Sequence, residues 1–397
     1  MRPAESAPTE PLPPMDFALS PQHLEIRRTV RDFAEREIVP VAGDLERRGE
    51  FPHDIIRRAA ELGLLGVPYP EEVGGTGLDT LAYAITIEEL ARASGSVAII
   101  VSAHTSLGCN PIYMAGSAEQ KDRYLRPMAS GEVIGAYGLT ESGAGSDSRG
   151  TRTRARRDGD AWVLNGSKRF ITNAGVAGTY IVTAVTDREA GSGRISAFIV
   201  PADTPGFSIG RMEEKMGLHA SNTGELLFED CRIPAENLLG EEGEGDKLFL
   251  KTLDGGRIGI GAMALGLAQA AYEAASAYAK ERKQFGREIG TFQGVAFMIA
   301  DMATQIDAAR LMTYRAAWLK DAGKPYSTEA AMAKLFASEV SRQVTNDAVQ
   351  VHGGYGYVSE YQVERYLRDA KLTEIGEGTS QIQRLVIARN LLDIRAM

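Results

Sequence analysis

The stretch RDAKLTEIGEGTSQIQRLVIAR, Arg368–Arg389, sets an acid between two bare glycines directly ahead of a helix. Ser380 and Gln383 have the S-x-x-Q spacing of a capping box. Ile382, Leu385 and Val386 follow at helical spacing, so a helix is expected to begin near Gln381. Glu377 therefore stands just before a helix N-terminus, flanked by Gly376 and Gly378. Two readings stay open. The carboxylate complements the helix dipole, a contribution of about 0.3–1 kcal/mol, or the glycines leave it bare for a substrate to approach.

Two other stretches concentrate signal. QVHGGYGYVSEYQVERYLRD, Gln350–Asp369, joins the end of a long helix to a new one. One glycine suffices as a C-cap. Three of them (Gly353, Gly354 and Gly356) beside Gln350, His352, Tyr355 and Tyr357 suggest close approach of another chain or a ligand. YGLTESGAGSDSRG, Tyr137–Gly150, offers the hydroxyls of Thr140, Ser142 and Ser146 among glycines whose backbone amides a ligand could reach. The glycines lack the dinucleotide-binding spacing and no helix signal follows. A plain turn between strands and a cofactor loop are both compatible with it.

Around these stretches the chain divides by period. Residues 16–132 read as a helical domain: Ser20-Pro21 is a helix start, and Val97–Ile112 is too long an apolar run for a strand, so it reads as a buried helix. Residues 133–240 carry β-rich segments (AWVLNGSKRFITN, TYIVTAV, ISAFIVP, GELLFEDCRIP) separated by Gly, Asn and Asp. After GEEGEGDK, read as a linker, residues 241–397 are helical. Long helices are expected over MALGLAQAAYEAASAYAKERK, 299–320 and 328–351. Residues 1–15 are Pro-rich with no apolar core and read as a disordered tail, with Met15 an alternative start.

Composition excludes several functions. The 44 Lys and Arg against 53 Asp and Glu give a net charge of −9, which disfavours nucleic-acid binding through a basic surface. Two cysteines, Cys109 and Cys231, cannot make a disulfide framework, and no Cys/His cluster suggests a metal. No window approaches 18 uninterrupted apolar residues, so no membrane span is expected. The expected location is cytoplasmic, or the mitochondrial matrix in a eukaryote, although no transit peptide is seen.

Read together, YGLTESGAGSD, QVHGGYGYVSEYQVERYLRD and RDAKLTEIGEGTSQIQRLVIAR, with LDGGRIGIGAMALGLAQAA, ERKQFGREIGTFQ and EDCRIP, strongly resemble the acyl-CoA dehydrogenase family from about Asp16 to Leu392. The resemblance implies an α+β multidomain fold: an N-terminal α-helical domain, a middle β-barrel-like domain and a C-terminal four-helix bundle, usually in a homotetramer. It implies FAD as cofactor, an acyl-CoA substrate converted to the trans-2-enoyl-CoA, and electron-transfer flavoprotein as electron acceptor. A same-fold oxidase using O₂ and a nucleic-acid-binding relative are the alternatives.

The resemblance also places residues. Glu377 matches the catalytic base, which takes the α-proton while the β-hydride moves to flavin N5. The base's own backbone N–H and a flavin hydroxyl polarise the thioester carbonyl. Some relatives carry the base on the helix of LDGGR, where this chain has Gly256. Tyr137, Leu139, Thr140, Gly145 and Ser146 match flavin-loop positions, with Ser146 also near the thioester, and Phe170, Ile171 and Thr172 match the other side of the ring. Thr379, Ser380 and Gln381 match further FAD contacts. Arg282, Phe285, Gln293, Gln350, Val351, Gly353 and Gly354 match positions reaching FAD across a subunit interface. Asp254, Arg257, Gly376 and Gly378 match the substrate side. Gly376 replaces the usual Tyr before the base. That resembles relatives of the isovaleryl-CoA type and implies a short-chain enzyme tolerating branches, unless the glycine only serves a positive φ. His219 stands where Arg is usual and is given no role.

Overall fold

The computed structural model describes residues 17–186 and 194–394. The expected tail and the alternative start at Met15 lie outside the described residues. Helix α1 (Pro21–Phe33) starts as its sequence dictates, with Ser20 accepting from the His23 amide at 3.2 Å and Pro21 needing no amide partner. It is followed by α2 (Val39–Arg48), α3 (His53–Glu61), α4 (Thr80–Ala93), α5 (Gly95–Ser102), and the short α6 (Asn110–Ala115), α7 (Ala118–Gln120) and α8 (Arg126–Ala129). The run Val97–Ile112 is helical and wholly buried, but it passes through a π-helical segment at Ala103–Cys109. That wider turn carries Leu107 against the site described below.

The middle of the chain forms β1 (Gly135–Gly138), β2 (Arg154–Asp158), β3 (Ala161–Thr172), β4 (Thr179–Val185), β5 (Ile195–Pro201), β6 (Phe207–Met212), β7 (Thr223–Pro234) and β8 (Leu238–Leu239). They make one sheet in the order β6-β7-β3-β2-β4-β5-β8, with β1 pairing in parallel to β4. Alternation along β3 turns Trp162 and Leu164 inward, where they pack with Phe198 and Phe228. β6 went unread in the sequence because FSIGRM is half-exposed and broken by Gly210 and Arg211.

The C-terminal part comprises α9 (Gly245–Glu281), the small hairpin β9 (Lys283–Gln284) and β10 (Arg287–Glu288), α10 (Gln293–Asp321), α11 (Ser327–His352), α12 (Val363–Thr373) and α13 (Ser380–Leu392). Helix α9 starts inside the expected linker, at Gly245, and α10 starts earlier than its apolar period, at Gln293. The Gly/Ala surface of α9 admits its neighbours closely: a Cβ at Gly266 would run into the Glu88 carbonyl of α4. By length and composition α9 could cross a membrane, with a mean hydropathy of 1.2, yet 78% of that window is buried under other parts of the protein. Its Ile258, Met263 and Leu267 share one core with Tyr83, Ile87 and Leu90 of α4 and Ala330 and Ala333 of α11. A second core, with Leu107, Tyr137, Ile199 and Phe249, joins the sheet to the helices. Cys109 and Cys231 are buried, free and in different cores.

Candidate active site

Glu377 lies in the turn between α12 and α13, where the helices meet the sheet. It and Gly378 both have left-handed backbones, φ 55° and 95°. The cap of α13 differs from the sequence expectation. Thr379, not Ser380, is the N-cap and accepts from the Ile382 amide at 3.3 Å. The double left-handed turn brings Thr379 into the extended backbone a cap requires and leaves Ser380 as the first helical residue. Gln383 does reach back, but as a donor: its amide nitrogen bonds the carbonyls of Glu377 at 3.3 Å and Gly378 at 2.8 Å. Nor does Gly376 have a positive φ; a Cβ there would meet only Leu372 at ordinary contact distance, so backbone geometry does not require this glycine.

The Glu377 carboxylate points at α9. A Cβ on Gly256 would collide with its Oε2, and Leu107 closes the same wall. Both carboxylate oxygens are shielded from water and neither has a hydrogen-bond partner. Burial pushes the carboxyl up to about 7, against the pull of Lys334 and Arg257. An acid this dry, unpaired and near neutrality is unsuited to a purely structural role, because an unsatisfied buried charge costs stability. It is suited to taking a proton at neutral pH. Asp254 and Arg257, expected on the substrate side, pair with each other one turn apart on α9, and Ser327 Oγ donates to Asp254 at 2.9 Å.

The expected flavin residues of the middle domain come together. Arg169 N donates to Thr140 O at 2.8 Å, which sets Phe170 beside Thr140. Phe170 sits outside the ladder at a register shift of β3, with φ 60° and 59% of its surface exposed. Ile171 is buried and Thr172 half-buried. Around Gly143 and Gly145 no atom lies where a Cβ would reach, and Ser146 is exposed. An exposed aromatic face next to Thr140, with open space around Gly143 and Gly145, fits a flavin ring and its polar edge. Tyr137 contributes backbone only, since its ring stacks on Phe249 and its hydroxyl donates to the Phe249 carbonyl.

Sequence reading missed what holds this loop. Lys168 is fully buried in β3 and donates to the Leu139 carbonyl at 3.2 Å, Glu141 at 2.8 Å and Thr183 at 3.0 Å. Glu141 also accepts from the Arg152 and Thr153 amides. Lys168 falls on the inward parity of Trp162 and Leu164, and a lysine there is the signal that was available.

A second group of expected residues lies elsewhere. Arg282 is 26 residues beyond Gly256 at the far end of α9, roughly 39 Å along the axis. There a cleft of about 640 Å³ is lined by Arg282, Val351, His352, Gly353, Gly354 and Tyr355, among others. The Arg282 guanidinium stacks over Tyr355 and makes no ion pair among the described residues. Phe285 is 93% exposed, and Gln293, Gln350 and Gln381 are exposed. Within one chain this cleft does not meet the Glu377 site. Ser380, by contrast, is buried, and the Thr379 hydroxyl is engaged in the cap. His219 belongs to neither site: its amide donates to Glu46 at 2.7 Å, tying the sheet domain to α2. Among the described residues no group of three or more His, Cys, Asp or Glu is placed to hold a metal.

A helical domain, a sheet and a helical bundle thus surround one buried carboxylate that has no hydrogen-bond partner. The chain belongs to the acyl-CoA dehydrogenase family, whose N-terminal, middle and C-terminal domains match residues 20–132, 136–231 and 243–392. It is 52% identical to the short-chain specific acyl-CoA dehydrogenase of Clostridium acetobutylicum, over 94% of this chain and 99% of that one. Butyryl-CoA dehydrogenase from Megasphaera elsdenii superposes with a TM-score of 0.94 at 46% identity, covering 95% of this chain and all of the other. A chain solved in work on the electron transferring flavoprotein of Acidaminococcus fermentans superposes at 0.95 with 51% identity, over 96% and 100% of the two chains.

Proposed function

We propose that the protein dehydrogenates short-chain acyl-CoA thioesters to trans-2-enoyl-CoA, with FAD as cofactor and electron-transfer flavoprotein as acceptor. The observation that carries this reading is the Glu377 carboxylate, buried, unpartnered and pressed against Gly256. The chemistry that FAD supplies when bound is acceptance of a hydride from the acyl β-carbon. Glu377 removes the α-proton onto its carboxylate, and its dry surroundings keep water from competing for that proton. Thr140, Phe170 and the open backbone at Gly143 and Gly145 would hold the flavin, while Lys168 and Glu141 fix the loop that presents them. The short-chain relatives support the substrate class. Anaerobic titration with an acyl-CoA panel, followed by reoxidation with electron-transfer flavoprotein or O₂, tests it. Bleaching led by butyryl-CoA and preferential reoxidation by the flavoprotein are expected; fast turnover by O₂ alone would make the protein an oxidase.

Gly376 bears on substrate shape. Since neither φ nor a Cβ clash demands glycine there, a side chain can start from this position, and that of tyrosine would narrow the space beside the base. Gly376→Tyr is expected to lower kcat/KM for isovaleryl- and 2-methylbutyryl-CoA by roughly 10–100-fold, as befits a pocket discrimination of about 1–3 kcal/mol. Butyryl-CoA should change less, and equal changes toward branched and straight substrates would show that Gly376 does not set shape.

The Arg282 cleft supports a homotetramer in which that end of the bundle reaches the FAD of a neighbouring subunit. Arg282→Ala is then expected to lower FAD occupancy and loosen the assembly together, because a ligand bound across an interface stabilises it. A monomer retaining full flavin, seen by sedimentation and absorbance, would contradict this.

A further inference from the structure

Lys334 lies in the N-terminal third of α11 with its side chain fully buried, and the proton transfer just described does not use it. It falls on the face made by Ala330, Ala337, Ser341 and Val344, where a lysine is costly to desolvate. Its ammonium donates to the Gly378 carbonyl at 2.7 Å. The same carbonyl accepts from Gln383 at 2.8 Å, and Gln383 also reaches the Glu377 carbonyl at 3.3 Å. Two donors from two helices thus grip consecutive peptides of the left-handed turn. A side-chain-bearing residue in that region is strained and persists only where its surroundings over-determine it. Here the grip on the carbonyls and the Gly256 wall together set where the Glu377 carboxylate can go.

The charges facing that carboxylate are few. From α9 comes Arg257, already paired with Asp254; from α4 and β1 come the Tyr83 and Tyr137 phenols, both raised above the ordinary range by burial, with the nearby Glu377 charge adding to it. Glu374, at the end of α12, acts on Lys334 but is itself paired with Arg342 and Lys371. Tyr326 faces Arg257 and Asp254. Lys334 makes no ion pair of its own among the described residues.

We propose that Lys334 is a positioning residue for the base: it anchors the Gly378 carbonyl so that the turn aims the Glu377 carboxylate at α9, and it supplies the positive charge that faces this carboxylate from α11. The inference rests on Glu377 acting as the base. Burial lowers the Lys334 ammonium to about 8, with Glu377 opposing that shift, so the charge is largely present at neutral pH. Gln383 shares the anchoring but carries no charge, which separates the two contributions.

The test is single-turnover bleaching of the FAD-loaded enzyme by butyryl-CoA from pH 5.5 to 9 (roughly the range its groups allow) in wild type, Lys334→Gln, Lys334→Arg and Gln383→Met. Lys334→Gln is expected to move the acid limb up by about one pH unit, the size of a lost neighbouring opposite charge, and to lower the plateau. Lys334→Arg keeps the limb in place. Gln383→Met lowers the plateau several-fold without moving the limb. A limb unmoved in Lys334→Gln, or moved equally in Gln383→Met, overturns the proposal. If Lys334→Gln does not accumulate, Gln383→Met decides, since an unchanged plateau there removes the anchoring role. A wild type that no acyl-CoA bleaches refutes the function instead; infrared titration of the Glu377 carboxyl, assigned by Glu377→Gln, then still shows whether Lys334→Gln raises it.

Discussion

Glu377→Gln is expected to retain FAD and bind acyl-CoA, yet to lose bleaching by butyryl-CoA by several orders of magnitude. An amide of nearly the same shape fills the space against Gly256 but cannot take up the α-proton, and the site holds no second carboxylate to replace it: Asp254 is engaged with Arg257. In wild type the rate should rise with pH through about 7, as burial holds the free carboxyl protonated below that point. Near-normal bleaching in the variant would remove Glu377 as base. The same substitution has a stability signature. A carboxyl raised from its ordinary value near 4.5 to about 7 contributes stability that is fully present below 4.5 and lost as pH rises through 7. Relative to Glu377→Gln, the substrate-free wild type should therefore lose up to about 3 kcal/mol between pH 4.5 and 8. Thermal midpoints of the two proteins that run parallel over this range would show that the carboxyl is not held neutral.

Gly256→Ala should impair the chemistry, less than Glu377→Gln does, while sparing the cofactor. The added methyl falls where Glu377 Oε2 now lies, and it also crowds Leu107 on the same wall. The carboxylate must turn away, and a displacement of about 1 Å from the attacking geometry costs on the order of 10²-fold in rate. Flavin content should stay normal, because the added methyl meets Glu377 and Leu107 and not Lys168 or Glu141, which hold the flavin loop. Bleaching within threefold of wild type would show that the carboxylate has room to spare. The contrast with Gly376 is instructive. Two glycines near the base look alike in sequence, but one is required by the Glu377 side chain from the α12–α13 turn and the other has Leu372 as its nearest neighbour.

The helical, sheet and helical thirds of the chain were legible because each is dictated by local pattern: partial alternation in β3, a continuous β-branched and aromatic run in β4, Ala-rich helical runs in α9, and the Ser20-Pro21 start of α1. The motif around Glu377 was legible as an acid exposed by glycines ahead of a helix. Local rules misjudged its cap by one residue, since the choice of Thr379 over Ser380 depends on the left-handed turn before it, and that turn is held from α11 and α13. Whether Glu377 is a dipole-complementing acid or a base was undecidable from its neighbours in the chain. The tertiary structure buries the carboxylate against α9 with no partner, a placement that the proposed base needs and that residues more than a hundred positions apart do not encode locally. Lys168 and Lys334 were passed over for the same reason. A lysine reads as surface until its strand parity or helix face is packed, and only then does its buried charge find the one carboxylate or carbonyl it serves. Likewise Arg282, Val351, Gly353 and Gly354 line one cleft because α9 carries Arg282 to its far end beside the end of α11, a placement set by helix length and packing and not by local sequence.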